Sequence, residues 1–184
     1  MIILHFVEDD WTVYTARGGG GLGAGSKKEV IVVTGSTSGI GFELSKRLSK
    51  DGFVVFGTYR SEKDVPMMLE AGIQPLQMEI TNLSSIQAAE RVVRMFLKEN
   101  KDTARFLGVV SNAGVLNAGP FEKVEVDPLA YTLDVHLKGT VLLSKVFMDL
   151  IKSDKGGRIV VMGSLAALLL PPANAVCKLG SFRP

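Results

Sequence analysis

The sequence predicts an α/β domain built on a doubly wound parallel sheet. Two observations carry this expectation. From Val30 onward, short β-branched runs alternate with helix-spaced segments, the pattern of parallel strands joined by helical crossovers. A glycine-rich turn, Gly35 to Gly41, also lies between the first such run and the first helix. Right-handed crossovers then wind the helices onto both faces of one sheet.

The elements follow in order. Val30–Val33 is a β-branched run suited to a strand buried on both faces. After the glycine turn, Ile40, Leu44 and Leu48 recur at helical spacing, and Asp51-Gly52 ends that helix. Phe53–Thr58 is the second strand, Lys63–Ala71 a helix stopped by Gly72, and Pro75–Ile80 the third strand. Thr81 or Asn82 can cap the helix Leu83–Lys98, whose apolar positions include Ile86, Ala89, Val93 and Phe96. Phe106–Ser111 is the fourth strand. Asp127 is expected to cap a long helix from Pro128 to Lys152, with proline at its first position. Arg158–Met162 is the fifth strand. No internal repeat is visible.

Composition excludes several classes. The chain has 184 residues, a length that suits one domain, or one with a tail. Apolar residues make up 46%, too many for a wholly disordered chain. Twenty-one basic residues against 19 acidic ones leave a net charge of +2, too little for a nucleic-acid footprint, so no nucleic-acid partner is expected. One cysteine, Cys177, and two histidines, His5 and His136, argue against a disulfide framework and a zinc site. No membrane span is expected, because no stretch reaches the roughly 18 apolar residues that a span needs. Met1–Val7 is apolar but lacks a basic flank and runs into Glu8-Asp9-Asp10, unlike a targeting peptide. A cytoplasmic location is the default.

Residues 1–25 read as a flexible tail or linker, and residues 26–184 as the folded domain. Six of the eight residues Gly18–Gly25 are glycine, which is entropically costly to order. Gly18, Gly20 and Gly23 happen to fit G-x-G-x-x-G. That fingerprint has meaning only between a strand and a helix, and here no helix follows.

The second glycine cluster has the right context. Gly35 permits a tight turn, Gly39 close backbone approach to a pyrophosphate, and Gly41 close packing of helix on sheet. The amides and dipole at the helix start would then face the anion. The loop also lacks the Lys-Ser/Thr ending of a triphosphate-binding loop. The spacing is G-x-x-x-G-x-G, not G-x-G-x-x-G; the expectation is a Rossmann-type dinucleotide site, with an ordinary glycine turn as the alternative.

Thr34-Gly-Ser-Thr-Ser-Gly-Ile-Gly41 resembles the cofactor motif of the short-chain dehydrogenase/reductase family. Three further segments resemble that family in the same order: Asn112-Ala113-Gly114 after the fourth strand, Asp134-Val-His-Leu-Lys-Gly139 in the long helix, and the strand Gly157–Ser164. Together they extend the resemblance over about residues 28–180. It implies an oxidoreductase lineage that transfers hydride between a nicotinamide and a carbonyl or alcohol. It assigns Thr34, Gly35, Ser38, Gly39, Ile40 and Gly41 to the cofactor, with Glu79 and Ile80 beside the adenine and Asn112, Ala113 and Gly114 on the ribose side. The position that is acidic in NAD-type members falls on Tyr59. Arg60 follows it, where NADP-type members carry arginine, and arginine suits a 2′-phosphate. NADP is therefore the favoured cofactor, while Glu62 and Asp64 keep NAD open.

The resemblance also assigns catalytic residues. Ser164 matches the serine that aligns the carbonyl, and Lys178 the lysine that lowers the pKa of a catalytic tyrosine. That tyrosine is absent. Its register falls on Val176 or Cys177 counting from Ser164, and on Asn174 counting back from Lys178. His136 stands where the family carries a relay asparagine, and a packed helix histidine is an equal reading. Cys177 as a substitute acid is disfavoured, because a thiol shifted into place lacks the required geometry.

The chain is also shorter than family members, as expected of a C-terminally truncated member. The sheet would then be incomplete at its C-terminal edge, with the fifth strand exposed. The expected substrate is a small carbonyl or alcohol, with a steroid- or retinoid-like cast to the residues around Ser164. The family's usual homo-oligomer is doubtful for such a chain. The expectation is a lineage of NADP(H)-dependent oxidoreductases whose present chain is inactive. The alternatives are a non-catalytic dinucleotide-binding or regulatory module, and a gene-model fragment.

Overall fold

The computed structural model describes residues 2–7, 10–14, 27–116, 123, 125–153 and 157–164. The strands are β1 (Ile2–Val7), β2 (Asp10–Tyr14), β3 (Lys28–Val33), β4 (Val54–Tyr59), β5 (Gln74–Gln77), β6 (Ala104–Ser111) and β7 (Arg158–Val161). The helices are α1 (Gly39–Lys50), α2 (Val65–Glu70), α3 (Leu83–Glu99), α4 (Val126–Leu133) and α5 (Gly139–Ser153).

The sheet order is β2-β1-β7-β6-β3-β4-β5. The five strands β5, β4, β3, β6 and β7 are mutually parallel, as the alternating pattern predicts. The chain winds from β3 outward through β4 to β5, then returns to place β6 on the other side of β3. The strand order therefore reverses between β3 and β6. A crevice opens there at the carboxyl ends of the strands, the usual ligand position in such sheets.

Each face of the sheet is sealed by its own cluster. On one side, Val30, Val32, Phe106 and Val109 pack with Ile86 and Val93 of α3 and Leu143 and Phe147 of α5. On the other, Ile31, Val33, Val55 and Val110 pack with Met68 and Ile73, and with Phe42, Leu44 and Leu48 of α1. Alternate residues of β3 thus serve opposite cores, which explains its unbroken β-branched run. Gly57 of β4 is required by this packing, because a Cβ there would meet Ile73, Met68 and Ser36 within 2.8 Å.

Several boundaries differ from the sequence-based expectation. β5 stops at Gln77 instead of continuing to Ile80, because Gln77 already lies opposite Tyr59, the last residue of its partner strand β4; beyond it Ser85 Oγ accepts from the Glu79 amide at 2.9 Å. Of the two expected cap residues for α3, Asn82 is the one used, its Oδ1 accepting from the Ser85 amide at 3.1 Å. The long helix starts two residues early. Extended Glu125 is its cap residue, and Asp127 lies inside the first turn of α4, where its charge suits the helix dipole. That helix is also not continuous α. Asp134–Lys138 forms one wider π turn between α4 and α5, a feature that often marks functional sites.

β7 was expected at an exposed edge. Instead β1 pairs with it antiparallel, from Ile2 opposite Val161 to His5 opposite Arg158, and β2 pairs with β1. Part of the segment read from sequence as a tail thus adds two antiparallel strands to the parallel five.

Candidate active site

The crevice at the sheet reversal holds a cavity of about 350 Å³. Ten of the predicted residues line it: Gly35, Ser38, Ile40, Gly41, Arg60, Glu79, Ile80, Asn112, Ala113 and Gly114. A second, apolar groove of about 580 Å³ between α5 and β7 contains none of them.

Thr34 and Asn112 build the floor. Thr34 is fully buried, and its Oγ1 accepts from the amides of Asn112 and Ala113, each at 2.9 Å. Asn112 answers from just past the end of β6, its Nδ2 donating to the carbonyls of Thr34 at 2.9 Å and Gly35 at 3.3 Å. These four bonds lock the two strand ends together at the reversal point. Thr34 therefore acts beneath the cavity and does not line it. Gly35 has φ of +68°, and a Cβ there would stand 2.9 Å from the Ala113 Cα. Its amide donates to Thr58 Oγ1 at 3.0 Å, tying the loop to β4 as well.

The start of α1 faces this floor. Ser38 is its extended cap residue but makes no side-chain cap bond, leaving the first-turn amides without a side-chain acceptor. Gly39, with φ of +55°, has open space on its side-chain face. Uncapped amides beside an open face fit an anionic pyrophosphate. The residues present therefore fit a dinucleotide.

Arg60 leaves the end of β4 and reaches over the cavity. Its Nη1 donates to the Tyr131 hydroxyl at 3.2 Å and lies 3.7 Å from Glu79 Oε2. Glu79 is itself anchored, with Oε1 accepting from the amide and hydroxyl of Thr81 at 3.1 and 3.0 Å. Tyr59 donates to Glu62 at 3.0 Å. Desolvation first, and then the Glu62 carboxylate, hold the Tyr59 phenol above its usual range, so it stays protonated.

His136 sits within the π turn. Its Nε2 lies 3.2 Å from the Val115 amide nitrogen and 2.8 Å from the Val115 carbonyl oxygen. Depending on tautomer it accepts from the first or donates to the second. Gly114 passes under the ring, and a Cβ there would stand 2.8 Å from His136 Cε1. The histidine thus braces the loop that follows Asn112. Ser164 is exposed three residues past β7, on the carboxyl-end edge that also carries Gly35 and Asn112. Lys178, Val176, Cys177 and Asn174 lie outside the described residues, so the lysine and the tyrosine register have no geometry here.

Sequence reasoning missed Tyr131, Thr58 and Val115. Thr58 and Val115 follow directly from their neighbours, Tyr59 and Gly114. Tyr131 has no such local signal.

A family model described as short chain dehydrogenase matches residues 29–176. The chain belongs to the short-chain dehydrogenase family. Human 17-beta-hydroxysteroid dehydrogenase type 1 is 32% identical over 161 residues, covering 81% of this chain and 47% of that protein. The mitochondrial D-beta-hydroxybutyrate dehydrogenase of Rattus norvegicus is 28% identical over 177 residues, covering 92% of this chain and 49% of that protein. The short-chain dehydrogenase chain therefore spans about half the length of these curated relatives. Among solved structures, a Serratia marcescens short-chain dehydrogenase/reductase variant superposes with a TM-score of 0.72 at 25% identity, covering 84% of this chain and 63% of that one. A Mycobacterium ulcerans short-chain type dehydrogenase/reductase shares the fold at a TM-score of 0.75, with 24% identity and 84% and 57% coverage. No helix among the described residues is long and apolar enough to cross a membrane.

Proposed function

We propose that residues 26–184, with β1 and β2 joined to the same sheet, form an NADP(H)-binding domain of a carbonyl/alcohol oxidoreductase, with Arg60 as the reader of the 2′-phosphate. The observation that carries the reading is Arg60 itself, held over the cavity by Tyr131 and Glu79, one residue past Tyr59, which stands where an NAD-type site presents an acid. Glu79 and Ile80 are the candidate adenine contacts, and Gly35, Ser38, Gly39, Ile40 and Gly41 the pyrophosphate cradle. Asn112, Ala113 and Gly114 form the wall on the ribose side. A bound nicotinamide would supply the hydride. Ser164 would orient the carbonyl or alcohol with its hydroxyl.

Arg60 is the direct test. In Arg60→Ala, NADPH affinity should fall about thirtyfold, near 2 kcal/mol for lost charge-assisted bonds, with NADH affinity unchanged. Fluorescence titration of both nucleotides measures it. Equal affinities in the starting protein, or no loss in the variant, would sink the NADP assignment.

The relatives named above act on a hydroxysteroid and on hydroxybutyrate by their names, which supports a small alcohol or carbonyl substrate. A hydroxysteroid-like substrate is the favoured member of that class. For the 184 residues themselves we infer no turnover. Reduction of a carbonyl needs a proton as well as a hydride, and no tyrosine follows Tyr131 in the chain. Loss of a general acid typically forfeits about a hundred- to ten-thousandfold in rate. NADPH oxidation with a carbonyl panel should therefore stay at the protein-free background. Turnover that disappears in Cys177→Ala or His136→Ala would contradict this and name the substitute acid.

A further inference from the structure

Arg60 and its two partners carry a consequence for cofactor choice. An arginine on a strand end has many rotamers, and one held in place binds with a smaller ordering cost. Here the nearer partner is Tyr131, from the second turn of α4, 71 residues further along the chain. Its hydroxyl accepts from Arg60 Nη1 at 3.2 Å. A phenol that accepts one hydrogen bond still has its own O–H to donate. Glu79 stands further off at 3.7 Å, and its Oε1 is occupied by Thr81. The guanidinium is therefore steered mainly by a neutral group. Its positive charge remains available to an incoming anion, where a tight carboxylate pair would have cancelled it. Tyr131 also lines the same cavity as Glu79 and Ile80.

We propose that Tyr131 is a specificity-determining residue for the 2′-phosphate, orienting Arg60 over the cavity and donating its own O–H as a second bond to that phosphate. This rests on the reading of Arg60 as the phosphate ligand. Neither role involves the reacting end of the cofactor, so the effect belongs to binding and to the choice between phosphorylated and unphosphorylated nucleotides.

The test uses the full 184-residue chain, Tyr131→Phe and Arg60→Ala, titrated calorimetrically with NADPH, NADH, 2′,5′-ADP and 5′-AMP. Tyr131→Phe keeps the ring and removes only the hydroxyl, and an unchanged thermal midpoint verifies that the fold is intact. It should weaken NADPH and 2′,5′-ADP by about fivefold, the scale of one net hydrogen bond, and leave NADH and 5′-AMP as they were. Equal weakening of all four ligands would reduce Tyr131 to a packing residue and overturn the proposal. Loss of preference in Arg60→Ala with full preference kept in Tyr131→Phe would overturn it too, while leaving Arg60 as the phosphate ligand. No preference in the starting chain, with Arg60→Ala silent, would defeat both readings together.

Discussion

Gly41→Ala should reduce NADPH binding beyond detection while leaving a folded, less stable domain. Gly41 is the third residue of α1, pressed against the loop it follows. An added Cβ would overlap the Gly35 carbonyl oxygen and Asn112 Nδ2. The Asn112 amide nitrogen cannot yield freely, because it bridges the carbonyls of Thr34 and Gly35. Either α1 moves away from the sheet or the Asn112 strut breaks. Overpacking of this kind costs about 1–3 kcal/mol of stability. The cost to binding is larger, because moving α1 misaligns several amides at once. Losing two bonds to a charged group, each about 1.5–3 kcal/mol, corresponds to more than a hundredfold in affinity. Gly39→Ala is the informative comparison. A Cβ there meets nothing within 4 Å, so only the left-handed backbone at φ of +55° opposes it, a strain of roughly 1–2 kcal/mol. Thermal melts and NADPH titrations of the pair should show binding loss far out of proportion to stability loss in Gly41→Ala. A variant that binds like the parent would show that α1 does not approach the cofactor.

Phe106→Ala should produce a large loss of stability without any direct effect on the site. Phe106 of β6 is 1% exposed and stacks on Phe147 of α5 at a centroid distance of 5.9 Å. Removing the ring opens a cavity between the sheet and α5 at a point where both partners are fixed by other contacts. Phenylalanine-to-alanine changes in such places cost about 3–5 kcal/mol. For a domain of this size that lowers the thermal midpoint by about 10 °C. Chemical denaturation followed by circular dichroism checks it. A change under about 1 kcal/mol would mean that the sheet and α5 do not form one core.

The parts of this molecule visible in its sequence are those with a local cause. The β-branched run of β3 announces a doubly buried strand because each of its faces meets a different cluster. Gly35 and Gly41 announce the crevice because no larger residue fits where backbone meets backbone. Arg60 could be placed because it is one residue beyond a strand end. Tyr131 could not, because its meaning depends on a crossover that brings α4 to the end of β4, and its own helix pattern is ordinary. The π turn at Asp134–Lys138 was equally hidden. One widened turn barely disturbs apolar spacing, and its marker, His136 against the Val115 backbone, is a tertiary contact. The pairing of β1 with β7 is likewise non-local: Met1–Val7 is apolar and strand-like, but nothing within it names a partner. The end of β5 was misplaced because it is set by its partner, β4, which ends at Tyr59 opposite Gln77, and nothing within Pro75–Ile80 marks that limit.

The crevice between β3 and β6 is proposed to bind NADP(H) through the Gly35–Gly41 loop and Arg60. Calorimetric titration of NADPH and NADH into the 184-residue chain tests it most directly. Saturable one-to-one binding is expected, with NADPH the tighter ligand. No saturable heat with either nucleotide, or tighter binding of NADH, would contradict it.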